Sequence, residues 1–138
     1  MRCLLPILFG ILLFLNGCGV NDKSKNGSVQ FHKVVMLPVM KFVEDTADFG
    51  VVIQGEKVVL FYTFENVGGS DLVIYEAIPS CGCATPKYEA TPVKPGEKRT
   101  VEVTFDSNGW SGSQRKSITF KTNGMPDYAT VTLTGIVE

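Results

Sequence analysis

An all-β sandwich is the fold class this sequence predicts, and three observations lead to it. From about residue 41 onward, apolar residues recur with a period of two, the repeat of a strand that buries one face. Clusters of Gly, Pro, Asn, Asp and Ser interrupt these runs at regular intervals, where the chain must reverse. No window of this region carries the 3.6-residue repeat of an amphipathic helix.

The first expected strand, 48 to 53, opens with Asp48-Phe49-Gly50 and ends at the turn Gln54-Gly55-Glu56. Over 57 to 65, Val58, Leu60, Tyr62 and Phe64 alternate with Val59, Phe61, Thr63 and Glu65, and Asn66 to Asp71 supplies the next turn. Strands over 72 to 78 and 85 to 89 flank a cysteine pair, and Lys94-Pro95-Gly96-Glu97 turns the chain again. Val101, Val103 and Phe105 mark the strand 98 to 106, Ile118 and Phe120 mark 114 to 122, and Val131, Leu133 and Val137 mark 129 to 137. Turns at Asn108 to Gly112 and Asn123 to Asp127 separate these three. About seven short strands at this spacing suit an immunoglobulin-like sandwich, so residues 44 to 138 are expected to form one domain.

The amino terminus reads differently. After Met1-Arg2, residues 3 to 15 form an almost unbroken apolar run. It is the h-region of a secretory signal, shorter than the roughly 20 residues that span a bilayer. It ends in Leu15-Asn16-Gly17-Cys18, which resembles a lipobox: an aliphatic residue, a small residue before the cut, and the Cys that receives a diacylglyceryl group. Asn16 stands where bacterial patterns commonly carry Ala, Ser or Thr. The expectation is a signal peptide over 1–17, with Cys18 as the lipidated first residue of the mature protein. Several acyl chains then hold it in a membrane, at about 0.8 kcal/mol per buried methylene. Residues 18–28 are polar and read as a flexible tether. Residues 29 to 43 are a candidate edge strand, interrupted by Pro38, or a linker, although they are apolar for a linker.

Composition excludes more than it assigns. Thirteen Lys and Arg against 14 Asp and Glu give a net charge of -1, which leaves no basic footprint for nucleic acid. With Cys3 lost in the signal and Cys18 acylated, Cys81 and Cys83 are the remaining thiols. In a regular strand residues two apart are about 6.6 Å apart, whereas a disulfide wants Cβ atoms within about 4.5 Å. Gly82 permits the bend that closes this gap. A three-residue loop contributes only about 1.6 kcal/mol by chain entropy. A closed zinc site takes four ligands, and the one His, His32, lies in the amino-terminal segment. Two sulfurs suit Cu(I), with Met36, Met40 or Met125 as assisting ligands. A redox pair lacks the helix amino terminus that lowers a catalytic thiol's pKa, although Lys87 is near in sequence. Three readings therefore stand: a structural pair or disulfide, a redox-active pair, and a soft-metal site.

Other constellations carry less. Asp48-Phe49-Gly50 copies a kinase tripeptide without the Gly-rich and catalytic loops that give it meaning, and reads as a core aromatic before a turning Gly. Gly109-Trp110-Ser111-Gly112-Ser113 misses the nucleophile-elbow spacing, and with a single His no Ser/His/Asp hydrolase is expected. Trp110 is either an exposed stacking platform or an apolar plug over the end of the sandwich.

Taken in order, Asp48-Phe49-Gly50, Gly55-Glu56, Tyr62-x-Phe64-x-Asn66-x-Gly68, Leu72-x-Ile74, Ser80-Cys81-Gly82-Cys83, Pro95-Gly96-Glu97, Val101-x-Val103-x-Phe105-Asp106, Gly112, Thr122-Asn123 and Leu133-x-Gly135 resemble the domain-of-unknown-function family 1573 over roughly residues 44 to 138. The resemblance implies an Ig-like domain of lipoproteins and secreted proteins, frequent in Bacteroidota and related in style to domains of cilia-associated proteins. It implies no activity. Ala84 stands where the family usually has Thr after the second Cys, and Tyr62 where Phe is common.

These readings lead to a lipid-anchored protein of the cell envelope, on the outer membrane and facing the periplasm. Gly19 to Lys23 lack the dense acidic run that would argue for surface export in a Bacteroidota-like host. Its domain is expected to be noncatalytic and cofactor-free, a binding or structural module whose partners are the membrane and another envelope protein or a glycan. The alternative is a periplasmic thiol-redox or Cu-binding protein using Cys81 and Cys83. Asp45-Thr46-Ala47 also resembles the short Asp-Thr-aliphatic acceptor of O-glycosylation in Bacteroidota, which makes Thr46 a candidate modification site. Intact-mass measurement of protein from such a host should show a hexose-type increment that Thr46→Ala removes; an unmodified mass disproves the assignment.

Overall fold

The computed structural model describes residues 36–138. The segments read as signal peptide and tether, with Cys18 and His32, lie outside the described residues. Eight strands form: β1 (Met40–Phe42), β2 (Thr46–Val52), β3 (Lys57–Asn66), β4 (Ile74–Pro79), β5 (Ala84–Lys87), β6 (Lys98–Asp106), β7 (Gly112–Thr122) and β8 (Tyr128–Val137). One four-stranded sheet has the order β1-β3-β6-β5 and the other the order β2-β8-β7-β4. The described residues contain no helix.

The period-two pattern becomes the interior directly. β3 turns Val58, Leu60, Tyr62 and Phe64 inward and leaves Val59 and Phe61 in solvent. Beside it β6 buries Val101, Val103 and Phe105, and from the other sheet Ile118, Phe120, Val131 and Leu133 close the core. Each fully buried side chain of this size contributes about 1.5–3 kcal/mol by leaving water. Leu72 and Val93, outside the named strands, pair as an isolated bridge and are fully buried. Phe49 is half-buried and stacks on Phe105 at 5.2 Å between centroids. Gly135 leaves room for that ring, because a Cβ there would run into it.

The strand β1 falls within the segment read as an edge strand or linker, and it is an edge: it pairs only with β3, through Met40↔Asn66 to Phe42↔Phe64. Pro38 precedes this strand rather than interrupting it, and is buried. Phe42 brings its ring edge to Tyr62 and Phe64 at 6.4 and 5.9 Å. The chain then crosses to the other sheet, where β2 runs parallel to β8. β2 begins two residues earlier than the sequence suggests, because Asp45 accepts a hydrogen bond from the Thr132 amide at 2.7 Å and draws Thr46 into register with Thr132.

The two sheets are also joined by a polar bond. The Tyr62 hydroxyl crosses the core and donates to the Thr132 carbonyl at 2.9 Å. Burial pushes this phenol up to about 12. A phenol with a raised folded-state pKa holds its proton more tightly in the native protein. Its contribution to stability is thus complete below the unfolded value near 10 and is lost as pH rises towards 12. Tyr62→Phe should cost about 1 kcal/mol at neutral pH and flatten the alkaline decline between these values. Denaturant titrations at a series of pH values check both effects; an unchanged alkaline slope contradicts this assignment.

Candidate functional site

The sandwich has two ends. At one of them the β6–β7 and β2–β3 loops meet the connection from β4 to β5, which passes between the sheets. Ser107 is fully buried there; its hydroxyl accepts from the Gly55 amide at 3.0 Å and lies 2.8 Å from the Glu56 carbonyl. The β4–β5 connection is tied down on both sides. The Ser80 amide donates to Ser117 at 2.8 Å, the Ser117 amide returns a bond to the Ser80 hydroxyl at 3.0 Å, and the Cys83 carbonyl accepts from the Asp106 amide at 2.8 Å.

Between these ties Cys81 and Cys83 form a disulfide, with Cα atoms 5.2 Å apart. A regular strand would hold them about 6.6 Å apart; the turn at exposed Gly82 brings them closer. Both cysteines are half-buried against the core. Trp110 also packs half-buried against the core at this end, and the Lys116 ammonium lies 3.2 Å from the centre of its ring. Burial lowers the Lys116 pKa. Trp110 is therefore a plug on one side and a cation platform on the other.

The structure keeps the other suggested partners away from the sulfurs. Lys87 ends β5, four residues along an extended strand from Cys83, about 13 Å away. Met36, Met40 and Met125 gather at the opposite end of the sandwich: the Met36 side chain lies against Gly69, Met40 pairs with Asn66, and the Met125 amide donates to Pro38. The soft-metal set of two sulfurs with assisting methionines is thus not assembled, because the strands carry its members to different ends. Among the described residues no group of three or more His, Cys, Asp or Glu is placed to hold a metal ion. What the bridged pair can do chemically is accept two electrons and two protons to give a dithiol. Thr46, the suggested acceptor, is exposed and opens β2; its hydroxyl bonds the Asp45 carboxylate at 3.1 Å.

A second feature went unread in the sequence. The outer face of the β1-β3-β6-β5 sheet presents Phe61, 65% exposed. Register places Phe61 opposite Glu102, and Glu102 opposite Lys87. Two concavities of about 270 Å³ each flank Tyr88, Glu89 and Thr100; Phe61, Lys87 and Glu102 complete one, and Phe64, Ile74 and Arg99 the other. Arg99 is held rigid by Glu97 at 2.8 Å, by the Thr91 and Pro92 carbonyls at 3.0 and 3.1 Å, and by Glu89 at 3.3 Å. A bond from the Lys94 amide, with help from Arg99, keeps the Glu97 carboxyl below its usual range. The available signal was Phe61 itself, an aromatic at an outward position of an alternating strand.

The sequence pattern described as "Protein of unknown function (DUF1573)" matches residues 40–137. The chain belongs to DUF1573. The match covers every strand, from β1 to the end of β8. The DUF1573 chain is similar to a protein of unknown function from Porphyromonas gingivalis W83, at TM-score 0.63 and 20% identity over 72% of this chain. It spans 46% of that protein's length. It is also similar to the ASH / PapD-like domain 7 of human CEP192, at TM-score 0.54 and 13% identity, covering 72% of this chain and 84% of that one. With the secreted serine protease VesC from Vibrio cholerae the TM-score is 0.55 at 14% identity, over 71% of this chain and 23% of the protease. These likenesses establish an Ig-like or PapD-like fold for this DUF1573 chain. No curated protein matches it.

Because hydrogen bonds to β6 and β7 already hold the cysteine turn, the bridge is a local pin. The double variant Cys81→Ser/Cys83→Ser should remain folded and lose about 1–2 kcal/mol, read by thermal or denaturant unfolding. Collapse of the fold would show that the pair carries far more of the structure than its small loop implies.

Proposed function

We propose that this chain is a lipid-anchored protein of the bacterial cell envelope whose Ig-like domain is a noncatalytic binding or structural module, held on the outer membrane and facing the periplasm. The observation that carries the binding role is the outer sheet face around Phe61. An apolar ring in solvent, beside carboxylates, a lysine and a concavity of about 270 Å³, is the composition of a recognition surface. Another envelope protein or a glycan suits it: the ring offers a stacking platform, and Glu89, Thr100 and Glu102 offer hydrogen-bonding groups. The anchor rests on Leu15-Asn16-Gly17-Cys18 at the end of an apolar run.

A second reading, thiol redox exchange in the periplasm, draws on the bridged Cys81 and Cys83 around an exposed Gly82. A three-residue ring gives little entropic protection against reduction.

Cys18→Ser should move the full chain out of the membrane fraction or leave its signal uncut. A photo-reactive phenylalanine in place of Phe61 should give a discrete cross-linked product in the envelope of living cells. Wild-type fractionation of the Cys18 variant removes the anchor, and absence of any product at position 61 removes the binding face. Thiol trapping that finds Cys81 and Cys83 exchanging between dithiol and disulfide in cells favours the second reading.

A further inference from the structure

At the end of the sandwich opposite the disulfide, the described chain enters the domain, and this entry is built rigidly. Residues 36–39 lie across the β3–β4 and β7–β8 loops. The Leu37 carbonyl accepts from the Gly69 amide at 3.2 Å, the Val39 carbonyl from the Val67 amide at 3.0 Å, and the Pro38 carbonyl from the Met125 amide at 3.0 Å. Fully buried Asn66 fastens the arrangement with four bonds. Its carbonyl oxygen accepts from the Val39 and Gly68 amides, and its amide nitrogen donates to the Ser70 and Val93 carbonyls. Gly68 is required because a Cβ there would strike the Leu37-Pro38-Val39 backbone. Asn123 repeats the device in the β7–β8 loop, accepting from the Val73 amide and donating to the Asp71 carbonyl.

These fastened loops hold apolar side chains outward. Met36 is 62% exposed, Leu37 47%, Val67 48% and Met125 66%. All four belong to the entering segment or to the two loops that bond to it, and none carries charge. Exposed apolar clusters of this kind mark an interaction surface, and their place on the chain says which one. Seventeen residues lie between Cys18 and Met36, so even fully extended the anchor holds this end within about 60 Å of the lipid.

We infer that this end of the sandwich, with Met36, Leu37, Val67 and Met125, seats on the surface of the lipid bilayer that holds the anchor, so that the disulfide end points away from the membrane. This rests on the lipid-anchor reading above. Aliphatic and thioether side chains without charges suit the boundary between headgroups and acyl chains, where they leave water without any polar group being buried unpaired. The orientation leaves the Phe61 face lateral and open to a partner.

The test uses the full lipidated protein in vesicles of phosphatidylethanolamine and phosphatidylglycerol. Met125→Cys and, at the far end, Asn108→Cys each provide one free thiol for an environment-sensitive fluorophore, since Cys18 is acylated and Cys81 and Cys83 are bridged. With spin-labelled phospholipid in the vesicles, the probe at 125 should lose emission and the probe at 108 should not. Adding Val67→Asp to the first variant should restore emission at 125 while the protein still floats with the vesicles. Equal behaviour of the two probes on protein that floats overturns the seated orientation and leaves the anchor intact. A probe at 125 shielded from both lipid quencher and aqueous iodide overturns it too, since another part of the chain or a second copy then covers the patch. Failure to float with vesicles overturns the anchor, and this inference with it.

Discussion

Burial of the inner faces of β3 and β6 against β7 and β8 is the constraint on which the rest of this structure depends. These four strands supply Tyr62, Phe64, Val101, Val103, Phe105, Ile118, Phe120, Val131 and Leu133 to one interior. A slip of one residue in any pairing would turn a whole row of these side chains into solvent. The register is therefore set by hydrophobic burial, and everything at the two ends inherits its position from it. The Tyr62 hydroxyl reaches the Thr132 carbonyl only because both strands are held in that register.

Outside the core, polar side chains replace the regular ladder wherever the chain leaves a strand. Asn66, Ser107 and Asn123 each satisfy backbone groups from segments far apart in sequence. Among the described residues no buried side-chain nitrogen or oxygen lacks a partner. Leaving such a group unpaired costs about 1–3 kcal/mol, so one amide with four bonds is a strong constraint on its loops. This accounts for two family-pattern features of no chemical reactivity, Asn66-x-Gly68 and Thr122-Asn123: they are clamps that hold loops.

Rigid ends and an open lateral face divide the labour in the proposed tethered module. One end carries the entry of the chain and a cluster of uncharged apolar side chains. The other carries a pinned turn, in which the disulfide closes a ring that hydrogen bonds to Ser117 and Asp106 already hold. Between them the β1-β3-β6-β5 sheet leaves Phe61 in solvent, although an aromatic of that size gains by burial. Recognition by an envelope partner is the use proposed for it.

By itself the sequence determined the all-β class, the position of nearly every strand and the inward set of side chains, because a period of two can be satisfied only by strands with one buried face. It also determined where turns fall, through Gly, Pro and Asn, and which family the pattern resembles. Val58 to Glu65 shows why: neighbouring residues suffice to state which face is inside. Only the tertiary structure decided what meets across the chain. That Met36, Met40 and Met125 lie far from Cys81 and Cys83, that Thr46 lies within β2, and that Phe61 adjoins Glu102, Lys87 and Tyr88 all depend on pairings between segments tens of residues apart. Local periodicity fixes a strand's faces but not its neighbours; those follow from how the two sheets bury their inner faces together.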